Sequence, residues 1–129
     1  MNNNFSSTFA VLRNIKKPLI IETLKTPSIS DDQLLIKIKY TYICGSQINE
    51  IDAVKGPDKF LPHLLGHEGS GIIEEIGPGV STVNKNDHVV LHWRKSSGIQ
   101  SPTPKYYWNK KEVNAGWVTT FNEYAVVSE

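Results

Sequence analysis

Apolar and polar residues alternate most regularly over residues 33–42, where Leu34, Ile36, Ile38 and Tyr40 fall on one face and Lys37 and Lys39 on the other. A period of two with lysines outside is the pattern of a half-buried strand. Residues 7–13 and 18–24 are short and rich in β-branched, leucine or aromatic side chains, and Asn14-Ile15-Lys16-Lys17 between them predicts a tight connection joining two strands. Residues 26–32 have turn composition. Cys44-Gly45 closes the third strand, and Ser46 is placed as the N-cap of a short helix reaching about Val54, stopped by Lys55-Gly56-Pro57-Asp58. Five glycines lie between Leu61 and Gly79; residues 72–76 form a strand among them, and Gly77-Pro78-Gly79 a turn. Residues 87–91 and 121–127 predict two further strands, whereas 94–117 shows no sustained period and reads as a long loop or lobe. Many short strands punctuated by glycine and proline, with one or two short helices, predict a mainly β fold closed into a small barrel.

Composition narrows the function classes. The chain has 129 residues, 39% of them hydrophobic and 21% charged, with a formal net charge of +1, which suits one globular domain. That balance lacks the basic excess of a dedicated nucleic-acid binder. No apolar stretch approaches the ~18 residues of a membrane span, and the polar start leads into no signal-peptide core. The single cysteine, Cys44, has no internal disulfide partner, so the expected compartment is the cytoplasm. Charge is uneven locally: between Trp93 and Trp117, Arg94, Lys95, Lys105, Lys110 and Lys111 face only Glu112. The run Lys105-Tyr106-Tyr107-Trp108-Asn109-Lys110-Lys111 interleaves cations with aromatic rings, a pattern that can stack bases or sugars. As it occurs once, the expectation is a lobe that packs on itself, covers a cleft or meets a partner subunit, and no nucleic acid.

The nucleotide motifs fail. There is no phosphate-binding G-x-x-x-x-G-K-[ST] loop, and Gly69-Ser70-Gly71 is followed by Glu74 where a dinucleotide fingerprint needs its third glycine. The titratable residues are more informative. Cys44 at a strand end, with His67-Glu68 in the glycine-flanked turn Gly66-His67-Glu68-Gly69, could supply a thiolate, an imidazole and a carboxylate to an open zinc site. The same residues could equally be a buried inert cysteine and a hydrogen-bonded histidine. Pro62 and Gly66 argue against a helical metal pair of His63 and His67, and His63, His88 and His92 are assigned no functional role.

In order along the chain come Tyr42-Ile43-Cys44-Gly45-Ser46-Gln47, Leu65-Gly66-His67-Glu68-Gly69-Ser70-Gly71, Glu75-Ile76-Gly77-Pro78-Gly79-Val80, Asn86-Asp87-His88-Val89 and Phe121-Asn122-Glu123-Tyr124-Ala125-Val126-Val127. From about residue 8 to 129 the sequence resembles the medium-chain zinc-dependent alcohol dehydrogenases. The resemblance implies a GroES-like β-barrel over residues 1–129, the N-terminal part of a catalytic domain. It implies that Cys44 and His67 ligate a catalytic zinc, with Glu68 beside the metal. Ser46 would take the alcohol proton, and Trp93 would be an aromatic wall of the substrate pocket. The implied substrate is a small alcohol, polyol or sugar, the implied cofactor NAD or NADP, and a homo-oligomer is compatible with the family.

The departures carry expectations of their own. Gln47 stands where the family has an aspartate that hydrogen-bonds the zinc histidine; its neutral amide is expected to orient His67 without raising its basicity. Asn49 replaces a histidine that ends the proton relay, so the relay is expected to run through water. The lobe that holds four cysteines around a structural zinc in many relatives corresponds to residues 94–117, which contain none, so no structural zinc is expected. The third zinc ligand and the nucleotide-binding Rossmann domain lie beyond the last matching motif. The chain by itself is therefore expected to be inactive and to bind neither NAD(H) nor NADP(H). A free-standing GroES-like module for binding or assembly is the rival reading, and a zinc-free reductase relative is a third.

Overall fold

The computed structural model describes residues 6–129. Among these residues, nine strands and one helix follow in the order β1 (Ser6–Leu12), β2 (Ile20–Lys25), β3 (Gln33–Thr41), α1 (Gly45–Ile51), β4 (His63–Leu64), β5 (Glu68–Ile76), β6 (His88–His92), β7 (Tyr106–Trp108), β8 (Lys111–Val113) and β9 (Tyr124–Ser128). They form a five-stranded sheet ordered β4-β1-β2-β7-β8 and a four-stranded sheet ordered β6-β5-β3-β9. A bridge from His63 to Asn114 joins the two ends of the larger sheet, and a Phe9–Asn122 bridge ties it to the smaller one. The result is the nearly closed β-barrel expected from the sequence.

Each sheet has its own core. Phe9, Val11, Leu24, Leu64, Tyr106 and Val113 pack inside the larger sheet. Leu34, Ile36, Ile73, Leu91, Ala125 and Val127 pack against the smaller one. In β3 the alternation holds only in part. Register shifts fall between Leu35 and Ile36 and between Ile38 and Tyr40. Such a bulge adds a residue to one strand and turns the following side chains. Tyr40, expected inside with Leu34 and Ile36, is therefore 73% exposed, and Leu35 is buried in addition.

The stretch 94–117 is not simply a loop. β7 and β8 pair antiparallel from Tyr106↔Val113 to Trp108↔Lys111 around the two-residue turn Asn109-Lys110. The hairpin extends the larger sheet at β2. Its cation–aromatic run is thus divided by the pleat. Tyr106 is fully buried, and the Arg13 guanidinium lies 4.4 Å from the Trp108 ring centroid. Arg13 is itself held by both carboxylate oxygens of Glu22.

His63 is buried, and its Nε2 meets the Asp58 carboxylate across 2.5 Å. Burial pushes the Asp58 carboxyl up, but the Phe60 N–H and His63 together outweigh it and hold it below its ordinary value. A depressed carboxylate adds stability above its unfolded pKa and loses it as pH falls through the folded one. Asp58→Asn is expected to lower stability by about 1.5–3 kcal/mol at neutral pH, as for loss of a hydrogen bond to a charged group. The gap from the parent should close in acid, below both Asp58 pKa values. Urea unfolding at pH 7 and along a series of falling pH values checks this; a gap that is constant with pH would refute it.

Candidate active site

The turn from β3 into α1 places the first two groups. Cys44, not Ser46, is the N-cap: its backbone is extended, its side chain accepts from the Ser46 N–H, and it forms a capping box with Gln47 three residues on. The spacing cap-x-x-Gln is a known helix-start signal, but cysteine is not among the usual caps, which is why serine drew the assignment. The helix ends at Ile51 with Asp52 as C-cap, earlier than expected; Ala53 and Gly56 then take positive φ. His67 enters from the other side. It directly precedes β5, whose first residue is Glu68, paired with His92 of β6. The pair therefore sits at the mouth of a strand and not inside a turn.

These elements bring Cys44, Ser46 and His67 together. The Ser46 Oγ is 2.8 Å from His67 Nε2 and 3.3 Å from Cys44 Sγ. Gln47, only 1% exposed, accepts from the Cys44 N–H through Oε1 at 2.8 Å. Its Nε2 donates to Ser46 Oγ at 3.3 Å. This is not the contact expected of Gln47, which was to orient His67 directly; the amide is consumed by the helix cap and the serine. Its role was missed, although its position three residues after Cys44 carried the signal. His67 Nδ1 is buried and has no hydrogen-bond partner; the nearest carboxylate oxygen, Glu68 Oε1, is 3.9 Å away. Asn49 is on the exposed side of the helix.

A soft sulfur and an imidazole nitrogen meeting at one hydroxyl are donors of the kind zinc takes. Glu68 lies on the opposite edge of the ring, and among the described residues no three His, Cys, Asp or Glu side chains gather as a metal-holding group. Trp93, 67% exposed, follows β6. With Trp117, Val118, Leu34 and Val127 it lines a groove of about 270 Å³ that none of Cys44, Ser46, His67 and Glu68 borders. The Arg94 guanidinium stands 5.6 Å from the Trp93 ring centroid. His88 and His92 are exposed, and His92 Nδ1 accepts the Arg94 N–H. Among the described residues no helix is long and apolar enough to cross a membrane.

The sequence model of the alcohol dehydrogenase GroES-like domain matches residues 30–129, and the chain belongs to that family. It is 40% identical over 81 residues to the class-3 alcohol dehydrogenase of Dictyostelium discoideum, a match covering 63% of this chain and 21% of that enzyme. It is 35% identical over 88 residues to an alcohol dehydrogenase of Geobacillus stearothermophilus, covering 68% and 26% respectively. The crystal structure of benzyl alcohol dehydrogenase from Acinetobacter calcoaceticus superposes with a TM-score of 0.76 at 26% identity, over 96% of this chain and 39% of that one. The matches thus span only about a fifth to two-fifths of the length of these relatives. The GroES-like architecture read from the sequence is shown, and the chain carries an alcohol dehydrogenase GroES-like domain.

Proposed function

We propose that this chain is the N-terminal catalytic part of a zinc-dependent dehydrogenase that oxidises the hydroxyl of a small alcohol, polyol or sugar with NAD or NADP. The nucleotide and the third zinc ligand come from polypeptide outside residues 1–129, and the site functions only in that longer protein. The observation that carries this reading is the Ser46 hydroxyl standing between Cys44 Sγ and His67 Nε2. Cys44 and His67 would hold the metal, and Glu68 would stand beside it. Zinc bound there would acidify a substrate hydroxyl and polarise its oxygen. Ser46 Oγ would take the hydroxyl proton and hand it on to water, since Asn49 offers no imidazole. Trp93 would contribute an aromatic wall from the end of β6, next to His92, which pairs with Glu68, although the groove it lines does not reach Cys44 or His67. The absence of cysteine in 94–117 supports a single zinc per chain. The lack of a basic surplus supports an enzyme that does not act on nucleic acid, and the single cysteine supports a cytoplasmic one.

The test is cobalt substitution of the protein made from the complete reading frame. The expected result is a cobalt–thiolate absorption band that Cys44→Ser removes, together with alcohol-dependent reduction of NAD or NADP that is lost in the same variant. Absence of a thiolate band in the unsubstituted protein would overturn the zinc assignment and turn the reading toward a binding or assembly module.

A further inference from the structure

The groove that opens after β6 combines two kinds of surface. It holds about 270 Å³, near the small end of the about 300–1,000 Å³ of ligand pockets. Leu34, Val118 and Val127 give it an apolar floor, and Trp93 and Trp117 add two indole rings. Trp117 Nε1 donates to the Ser101 carbonyl at 3.0 Å. Its polar edge is thus satisfied within the chain, while the residue stays 50% exposed and offers its ring to a ligand.

The charged groups lining the groove are unequally occupied. Arg94, Lys95 and Glu129 all border it. The Glu129 carboxylate is already engaged, because the N–H groups of Ser81 and Thr82 donate to its Oε1 at 2.8 and 2.6 Å. The two cations are not. Ion pairs among the described residues take Arg13, His63, His67 and Lys105, and neither Arg94 nor Lys95 is in one. Arg94 is nevertheless held in place: its backbone N–H donates to His92 Nδ1 at 3.1 Å, and its guanidinium lies 5.6 Å from the Trp93 ring centroid, within cation–π reach. The planar N–H fork of the guanidinium is left for a carboxylate, the group it matches best. An apolar floor alone would suit any greasy molecule, and two free cations alone any anion. Together they select a molecule that has both parts. We propose that the groove binds a small organic acid with an apolar or aromatic body, whose carboxylate pairs with Arg94 and Lys95 while the body lies against Trp93, Trp117 and the floor. Of the residues in the zinc reading the site shares Trp93 alone, and it does not depend on the metal.

Calorimetric titration of the protein made from the complete reading frame tests this with phenylbutyrate as the probe. Phenylbutanamide has the same shape without the charge, and acetate has the charge without the body. The expected result is saturable binding of one phenylbutyrate per chain, with the amide and acetate each weaker by roughly tenfold or more, as for loss of one charge-assisted hydrogen bond or of a few buried methylenes. Arg94→Gln combined with Lys95→Gln, both at exposed positions, should bring phenylbutyrate down to the level of the amide. Equal affinity for phenylbutyrate and either control, or no binding at all, overturns the proposal. So does phenylbutyrate binding that survives the double substitution, which puts the acid at another site, the metal included. The same titrations on the 129-residue chain expose the rival occupant. Affinity present there and absent from the complete protein means that other polypeptide fills the groove, and the organic-acid site falls. A complete protein that shows no cobalt–thiolate band, yet binds phenylbutyrate through Arg94 and Lys95, keeps this site and loses the zinc reading.

Discussion

Tyr106→Ala is expected to destabilise the chain by about 5 kcal/mol, a large fraction of the roughly 5–15 kcal/mol that holds a domain together. The side chain is fully buried among Phe9, Val11, Leu24, Leu64 and Val113. Its ring meets Phe9 edge-on with centroids 4.9 Å apart. Removing an aromatic ring from such a core costs about 3–5 kcal/mol through lost burial and the cavity left behind. The hydroxyl adds a second loss, because it accepts the N–H of Val126 at 2.9 Å and hydrogen-bonds Thr119. Val126 belongs to β9 of the smaller sheet, so this one oxygen links the two cores. Tyr106→Phe keeps the ring and orphans that buried N–H, for an expected cost of about 1–3 kcal/mol.

The phenol has a pH signature as well. Burial, partly offset by the Val126 and Thr119 hydrogen bonds, raises its pKa from 10.0 to about 12. A raised pKa in an acid that is neutral when protonated means stability fully present below the unfolded value and lost as pH climbs through the folded one. The parent should lose roughly 3 kcal/mol between about pH 10 and 12, at about 1.4 kcal/mol per unit, and Tyr106→Phe should lack that component. Urea midpoints of the parent, Tyr106→Phe and Tyr106→Ala at pH 8 and pH 11 measure all three effects. Equal midpoints for parent and Tyr106→Phe at pH 8 would mean that Val126 finds another acceptor.

Why this residue escaped the sequence reading is physical. Strand and helix periods need several residues to declare themselves, and β7 and β8 have three each. Their turn puts both Asn109 and Lys110 at positive φ, 44° and 66°. That is the arrangement of a two-residue hairpin whose usual marker is Asn-Gly; lysine in the second place hides it. The aromatic run therefore read as part of a lobe with no strand in it, although a lobe that packs on itself was among the expectations. β4 is shorter still, two residues held by pairing with β1, and no local pattern predicts it. By contrast β3, β6, β9 and the 72–76 part of β5 carry Ile, Val and Leu at strand spacing and were legible, apart from bulges that only the partner strand reveals; the glycine-rich start of β5 from Glu68 reads as a turn.

The site divides in the same way. Cys44, Ser46 and His67 were legible because motifs name residue types, and the barrel brings those three together. Hydrogen-bond direction was not, because it depends on which end of the Gln47 amide faces a backbone donor. The place of Trp93 depends on where a groove opens between the smaller sheet and the segment after β6. The order of residues does not encode it.

Gly66→Ala should be the most damaging single-methyl change next to the site, at about 3–5 kcal/mol. Gly66 has φ +93°, a region that costs an L-residue about 1–3 kcal/mol. An added Cβ would also sit 2.7 Å from Phe121 Cδ1 and 3.0 Å from Phe121 N, and closer still to the Thr120 hydroxyl. Neither side can yield easily: the N–H groups of Thr120 and Phe121 both bond the Leu65 carbonyl at 3.3 Å, and Thr120 N–H also reaches the Gly66 carbonyl. Overpacking of this kind adds about 1–3 kcal/mol. Because His67 is the next residue, any retreat of Gly66 from residues 120–121 also moves the imidazole away from Ser46. Gly45→Ala is the control. Its Cβ would meet nothing within 4 Å, and it opens α1, so alanine there should be neutral or stabilise by up to about 1 kcal/mol. Thermal or urea unfolding of both variants decides the matter. If Gly66→Ala unfolds with the parent's midpoint, the backbone before His67 is free to move, and the barrel does not hold the imidazole where Ser46 needs it.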